Sequence, residues 1–236
     1  MPFLPISVVI PIARGDLAWQ GLLGLFASRE LGEIVLSVSE DADKREQELY
    51  HAASKAYPQL KLVQGSSGRG RQINRAIAAA SSRWIWVLHA DSRFAPCLWP
   101  ALEEALQRFP ERLHFFALRF AGQDPRLALN EWGVVWRSRV MGMPFGDQGF
   151  LFEKSKWQAL GGFSESCAYG EDHLFVWHWR QRGFKIHGIS AAIETSPRKY
   201  ESYGWWQTTF KHGWLTWKQA LPEIYTLWQR KLRRRG

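Results

Sequence analysis

Trp84-Ile85-Trp86-Val87-Leu88-His89-Ala90-Asp91 is the stretch that decides the fold. Its first five residues form a continuous apolar run, the pattern of a strand buried on both faces. Open α/β sheets bind ligands just beyond the carboxyl ends of such strands. The polar step His89-Ala90-Asp91 therefore marks a candidate site. On an extended segment, residues i and i+2 point to the same side, so His89 and Asp91 are expected to face one ligand. A His/Asp pair can accept Mn2+ or Mg2+ when a diphosphate supplies further oxygens. The plainer alternative is an aspartate capping a turn at the strand end.

Working outward, the same alternation recurs. Ile6–Pro11, Glu33–Val38 and Leu60–Val63 read as strands, and Asp16–Ser28, Asp43–Ala56 and Gly68–Ala80 as the helices between them. Ile73, Ala76, Ile77 and Ala80 fall on one helical face. Strands alternating with helices in this way predict a parallel sheet covered on both sides. After Asp91 the rhythm changes. We read helices over Pro100–Gln107, Leu127–Val140, Trp157–Gly161 and Glu171–Arg182, and strands over His114–Phe120, Phe150–Phe152 and Phe184–Ile189. Tyr203–Gln219 is expected to be an amphipathic helix with an apolar stripe from Trp206 to Leu221, with Pro222 breaking it and opening a last helix.

The 236 residues, 46% of them hydrophobic, are enough for a sizeable core and argue against disorder. The net charge is +9, and five of the positives lie in the last seven residues, so the body is only mildly basic. A charge concentrated in a tail argues against nucleic acid as a partner. It leaves a solvated end or an anionic membrane surface. Two cysteines without metal-ligand spacing, no basic-then-apolar leader and no long uncharged run lead to the expectation of a cytoplasmic protein, in solution or peripheral on the inner face of the membrane. Fourteen tryptophans call for core or interfacial positions.

Four further clusters carry chemistry. Gly68-Arg69-Gly70-Arg71-Gln72-Ile73-Asn74 places glycines and cations at a helix start, where backbone N–H groups favour anions; a structural loop is the equal alternative. Gly170-Glu171-Asp172-His173 sets two carboxylates at another helix start, as dipole complements or as a general base with its neighbour. Gly146-Asp147-Gln148-Gly149 lets the backbone approach a ligand or simply makes a turn. Arg198-Lys199 offers cations that could close over a diphosphate. His173 and His178 read as packing or surface histidines.

In order and spacing these pieces resemble the family-2 glycosyltransferases of the GT-A fold. The opening strand Ser7–Pro11, the segment Gly70–Asn74 with Ala76–Ala80, His89-Ala90-Asp91-Ser92 at the Asp-x-Asp position, Gly146–Gly149 with Leu160-Gly161-Gly162-Phe163, and Glu171-Asp172 carry the likeness over Ile6–Gly213. It is nearest to a small bacterial subgroup whose metal strand likewise ends in His-Ala-Asp. The resemblance implies a Rossmann-like α/β fold with a mostly parallel central sheet and C-terminal helices. It implies a glycosyltransferase domain over 1–200, with a nucleotide half to about 92 and an acceptor half beyond it, followed by amphipathic helices and a basic tail over 201–236. It implies inverting transfer from a UDP- or GDP-sugar to an acceptor hydroxyl, with Mn2+ or Mg2+. Asp91, with His89, would hold the metal, and Asp172 would act as base with Glu171 beside it. Pro11, Arg14, Glu40, Asp43, Arg69, Arg71, Gln72, Asn74, Ala90 and Arg198 would line the donor pocket. Gly146, Asp147 and Gln148 would lie on the acceptor side. Two positions depart from the pattern. Val38 stands where the family commonly has an acid, leaving Glu40, Asp41 or Asp43 to replace it, and Arg14-Gly15-Asp16 replaces Asn-Glu after the first strand. The alternative they motivate is a catalytically silent relative that binds a sugar or partner through the same cleft.

Overall fold

The computed structural model describes residues 4–26, 31–122, 124–167, 169–197, 200, 202 and 204–233. Among these residues, eight strands form one sheet in the order β3-β2-β1-β4-β7-β6-β8-β5. The first half is wholly parallel: β1 (Leu4–Pro11) lies between β2 (Leu31–Ser39) and β4 (Trp84–Val87), and β3 (Leu60–Gly65) flanks β2. β7 (Phe150–Glu153) pairs antiparallel with both β4 and β6 (Leu113–Phe120). β6 runs parallel to β8 (Ile186–Thr195), and the two-residue β5 (Arg93–Phe94) closes the edge antiparallel to β8.

The expected double burial of the central strands holds, and its cause is side-chain alternation. Val8, Ile10, Trp86 and Leu88 enter one core with Trp19, Phe94, Trp99 and Leu102. Val9, Ile85 and Val87 enter the other with Ile73, Ile77, Phe175 and Trp179. The first core lies under α1 (Trp19–Leu23), α2 (Lys44–Ala56) and α4 (Leu98–Arg108). The second lies under α3 (Arg69–Ala79), α6 (Lys154–Leu160) and α7 (Glu171–Gln181). Asp43 and Glu46 close a reciprocal capping box on α2, which fixes where that helix starts.

Several boundaries differ from the sequence reading. The first helix is one short α-turn followed by a 3-10 turn over Gly24–Phe26. The stretch expected as one helix over Leu127–Val140 is α5 (Arg126–Val135) running into a π-helical turn, Trp136–Val140. β8 runs six residues past its expected end because pairing with β6 overrides the weak strand preference of Gly188, Ser190, Ala191 and Ala192. Pro222 does not break the last helix: α8 (Trp205–Arg233) passes through it without interruption. Pro222 and Lys218, four residues before it, are both exposed. Proline removes one donor from the helix ladder, and on this exposed stretch the hydrogen bonds of the neighbouring turns carry the helix on.

Candidate active site

The sheet directions bring the candidate residues to one edge. The carboxyl ends of β1, β2, β4 and β8 and the segment entering β7 all lie there, as do the starts of α3 and α7. Beyond β4 the chain does not stay extended. Ser92 N–H bonds the His89 carbonyl at 3.1 Å, so His89–Ser92 is a turn. The alternation expected to aim His89 and Asp91 alike therefore stops at Val87, and the two side chains have different neighbours.

Asp91 faces the end of β8. Its Oδ2 accepts from Thr195 Oγ1 and Ser196 N–H, both at 3.3 Å. It lines a cavity of about 360 Å3 with Ala18, Arg93, Glu194, Thr195 and Ser196. His89 faces the helix starts instead. The Arg69 guanidinium donates to its ring and pairs through Nε with Glu171 Oε1 at 2.9 Å. Gly146 explains how close this region is packed. A Cβ there would sit 2.9 Å from Asp172 Oδ2 and 3.2 Å from His89 Nε2. Only glycine lets the three segments meet.

Asp172 is held from two sides. Gly146 N–H donates to Oδ2 at 2.5 Å and His173 N–H to Oδ1 at 2.8 Å, in the first turn of α7. The helix start favours a carboxylate in this position. His173 is a packing residue, as expected: Nδ1 bonds Gln219 Oε1 at 2.8 Å and Nε2 accepts from Trp177 Nε1 at 2.8 Å. Burial lowers its pKa. Gln219 lies on α8 and also bonds the Tyr169 and Gly170 carbonyls, fixing the loop that presents Glu171 and Asp172.

Of the residues expected on an acceptor side, Gln148 is buried and bonds the Phe116 carbonyl at 2.9 Å while accepting from Phe145 N–H. It shapes the loop, and Asp147 beside it is half-buried. Sequence reasoning missed Arg137. It lies in the π-helical turn with its guanidinium 3.5 Å from the Phe145 ring centroid, and it donates to the Met143 carbonyl. Burial pulls its pKa down to about 10, and the carboxylates of Asp147 and Asp172 oppose that shift. It stays cationic at neutral pH. One arginine inside an aromatic-striped helix reads as a surface residue, so nothing local in the sequence marked it.

The residues expected to line a donor pocket divide. Pro11 ends β1, and Gln72 spans the ends of β1 and β2 by donating to the Ile12 and Ser37 carbonyls at 2.7 and 3.0 Å. Arg14 is exposed in a loop tied down by Gly15 N–H to Glu46 Oε1 at 2.7 Å. Val38 is buried with its carbonyl on Arg75, whereas Glu40 is exposed just past β2. Asp43 caps α2 and Ala90 is buried in the first core. Arg71 and Asn74 line another cavity, about 640 Å3, with Ser66, Trp157, Gly161 and Glu165. Asn74 is a strut there: its amide joins the Phe163 backbone, Trp157 Nε1 and Glu165. Arg198 and Lys199 lie outside the described residues.

Among the described residues no three His, Cys, Asp or Glu side chains cluster as metal ligands. The donor set fits a divalent cation only as a shared site. Asp91 places one hard oxygen donor on an open cavity, and Mg2+ is commonly held by one or two carboxylates plus substrate phosphates and water. His89, with a guanidinium against its ring, is not arranged as a second ligand.

The fold is shared with solved structures that hold nucleotides or nucleotide sugars. S. aureus TarS 1-349 in complex with UDP-GlcNAc aligns with a TM-score of 0.65 at 16% identity, covering 82% of this chain and 58% of that one. Its UDP complex gives 0.65 at 14%, covering 81% and 60%. The mannosyltransferase PcManGT from Pyrobaculum calidifontis, in complex with GDP-Man and Mn2+, gives 0.61 at 14%, covering 80% and 56%. The chain thus spans three-fifths of those structures or less. No curated protein matches it by sequence. The model of the family described as glycosyl transferase family 2 matches residues 7–154, from β1 through β7, and on that match the chain belongs to this family.

Proposed function

We propose that this chain transfers a sugar from a nucleoside-diphosphate sugar to an acceptor hydroxyl, with inversion at the anomeric carbon. The observation that carries the reading is the Asp172 carboxylate, fixed by two backbone N–H groups at the ligand-binding edge of a family-2 fold. Donor class rests on the neighbours: TarS is solved with UDP and UDP-GlcNAc, and PcManGT with GDP-Man and Mn2+.

Asp172 acts as general base. It takes the proton from the acceptor O–H while that oxygen attacks the anomeric carbon from the face opposite the diphosphate. The bond from that carbon to the diphosphate oxygen breaks, and the nucleoside diphosphate leaves with the electron pair. Gly146 N–H and His173 N–H orient the base, and Arg137 behind it compensates the local negative charge. Glu171 acts through Arg69, which it holds at the cleft beside His89. Asp91 is the residue that would hold Mn2+ or Mg2+. Such an ion, when bound, supplies charge neutralisation for the departing diphosphate. Gln72 keeps the ends of β1 and β2 in place at the ligand-binding edge of the sheet.

A thermal-shift screen of UDP- and GDP-sugars with Mn2+ finds the donor, and release of the nucleoside diphosphate measures turnover. Asp172→Asn is expected to lower turnover ~10^2- to 10^4-fold while donor binding is kept. Turnover unchanged in that variant overturns the assignment of the base. A chain that binds no nucleoside diphosphate at all is instead the silent relative, for which the buried Val38 at the end of β2 is the favouring observation.

A further inference from the structure

We propose that α5, its π-helical extension and α8 form the surface by which this chain lies on an anionic lipid bilayer. The proposal is independent of what the cleft transfers. It starts from an apolar stripe that the fold leaves uncovered. Along α8, Trp206, Phe210, Trp214, Trp217, Leu221 and Trp228 recur every three or four residues until the longer step to Trp228, and each is at least 42% exposed. Tyr225 fills that step. The helix is not short of inward contacts. Thr208, Thr216, Ala220 and Leu227 are buried, and Gln219 bonds the start of α7. The aromatic side is therefore the outer side of a helix already docked.

A second stripe adjoins it. Leu129, Trp132 and Trp136 are 63, 70 and 47% exposed. Trp205 Nε1 donates to the Arg126 carbonyl at 3.2 Å and Asn130 Nδ2 to Thr209 Oγ1 at 3.4 Å, which ties α5 to the start of α8. The uncovered aromatics thus occupy two adjacent helices, more than one chance surface residue would explain.

Charge selects the occupant. Residues 205–236 contain Lys211, Lys218, Arg230, Lys231, Arg233, Arg234 and Arg235 against a single acid, Glu223. A second copy of this chain would bring one cationic helix against another. An anionic lipid surface is complementary to it, and indole rings settle at the headgroup level. No helix among the described residues is long and apolar enough to cross a membrane, so α8 would lie in the plane of the interface.

Flotation with vesicles tests this, using phosphatidylcholine alone and phosphatidylcholine mixed with phosphatidylglycerol. The full chain is expected to float with the anionic vesicles, to float less with the neutral ones, and to be released by high salt. The double variants W214Q/W217Q and W132Q/W136Q change only exposed side chains. Each is expected to keep the wild-type melting temperature and to weaken vesicle binding ~10-fold. No flotation with anionic vesicles overturns the proposal, and so does binding that both double variants leave unchanged. A lipid-free dimer by sedimentation that disappears in W214Q/W217Q assigns the stripe to a second copy and overturns it as well.

Discussion

In the sheet body, Trp86 has no exposed surface and meets Phe26, Phe94, Trp99 and Phe116 at ring-centroid distances of 5.4–6.2 Å. On α8, Trp214 is 70% exposed, with no ring partner among the described residues. Each stands for a group. Trp19, Trp84, Trp86, Trp99, Trp177 and Trp179 are buried in the body, whereas Trp132, Trp136, Trp206, Trp214, Trp217 and Trp228 are exposed on α5, its extension and α8. Composition alone treats all of them as hydrophobic. The difference teaches that the same side chain is spent on stability in one region and kept at the surface in the other, where only contact with something outside the chain can use it.

The sharpest break of that contrast is Trp86→Ala, which empties the centre of the first core. A loss of about 3–5 kcal/mol is expected from urea unfolding. A loss under about 1 kcal/mol would mean that the body does not depend on this cluster.

Acid probes the body next. His114 is fully buried, and its pKa is lowered to about 4 by burial and then by the nearby His187, whose Nδ1 is 3.2 Å from its own. The folded chain thus resists a proton that the unfolded chain accepts below its ordinary value of 6.5. Stability from this site is complete above that value and is lost as pH falls toward 4, by about 3 kcal/mol at the limit. His114→Phe is expected to flatten this part of the pH–stability curve. A curve as steep as wild type would contradict the assignment.

A smaller effect belongs to the seam between α3 and the loop before α7. Asn74→Ala removes four hydrogen bonds of one amide to the 157–165 segment. We expect about 1–3 kcal/mol, read as a lower denaturant midpoint. Smallest is Trp214→Ala, expected within about 0.5 kcal/mol of wild type. A core-sized loss there would erase the contrast between the two regions.

What the sequence disclosed follows the range of the interactions involved. β1, β2 and β4 are written locally, as apolar runs buried on two faces, and the helix over Asp43–Ala56 is legible along the chain. β8 and the passage of α8 through Pro222 are not, since a long-range pairing and a solvent-facing proline decide them. The candidate site divides the same way. Asp172, Gly146 and His89 were each recognisable in their own motifs, and the fold brings them together. Asp91 and His89 were read as one extended unit, but the turn at His89–Ser92 sends them to different neighbours. Arg137 acquires its meaning from Phe145, Asp147 and Asp172, all reached through the fold rather than along the chain.

The most direct measurement is a calorimetric titration of UDP and GDP, each with Mn2+, into the wild-type chain, Asp91→Asn and Asp172→Asn. The account predicts that one nucleotide binds the wild type and Asp172→Asn alike and binds Asp91→Asn at least ~10-fold more weakly. Equal affinity in wild type and Asp91→Asn, or no heat with either nucleotide, would contradict it.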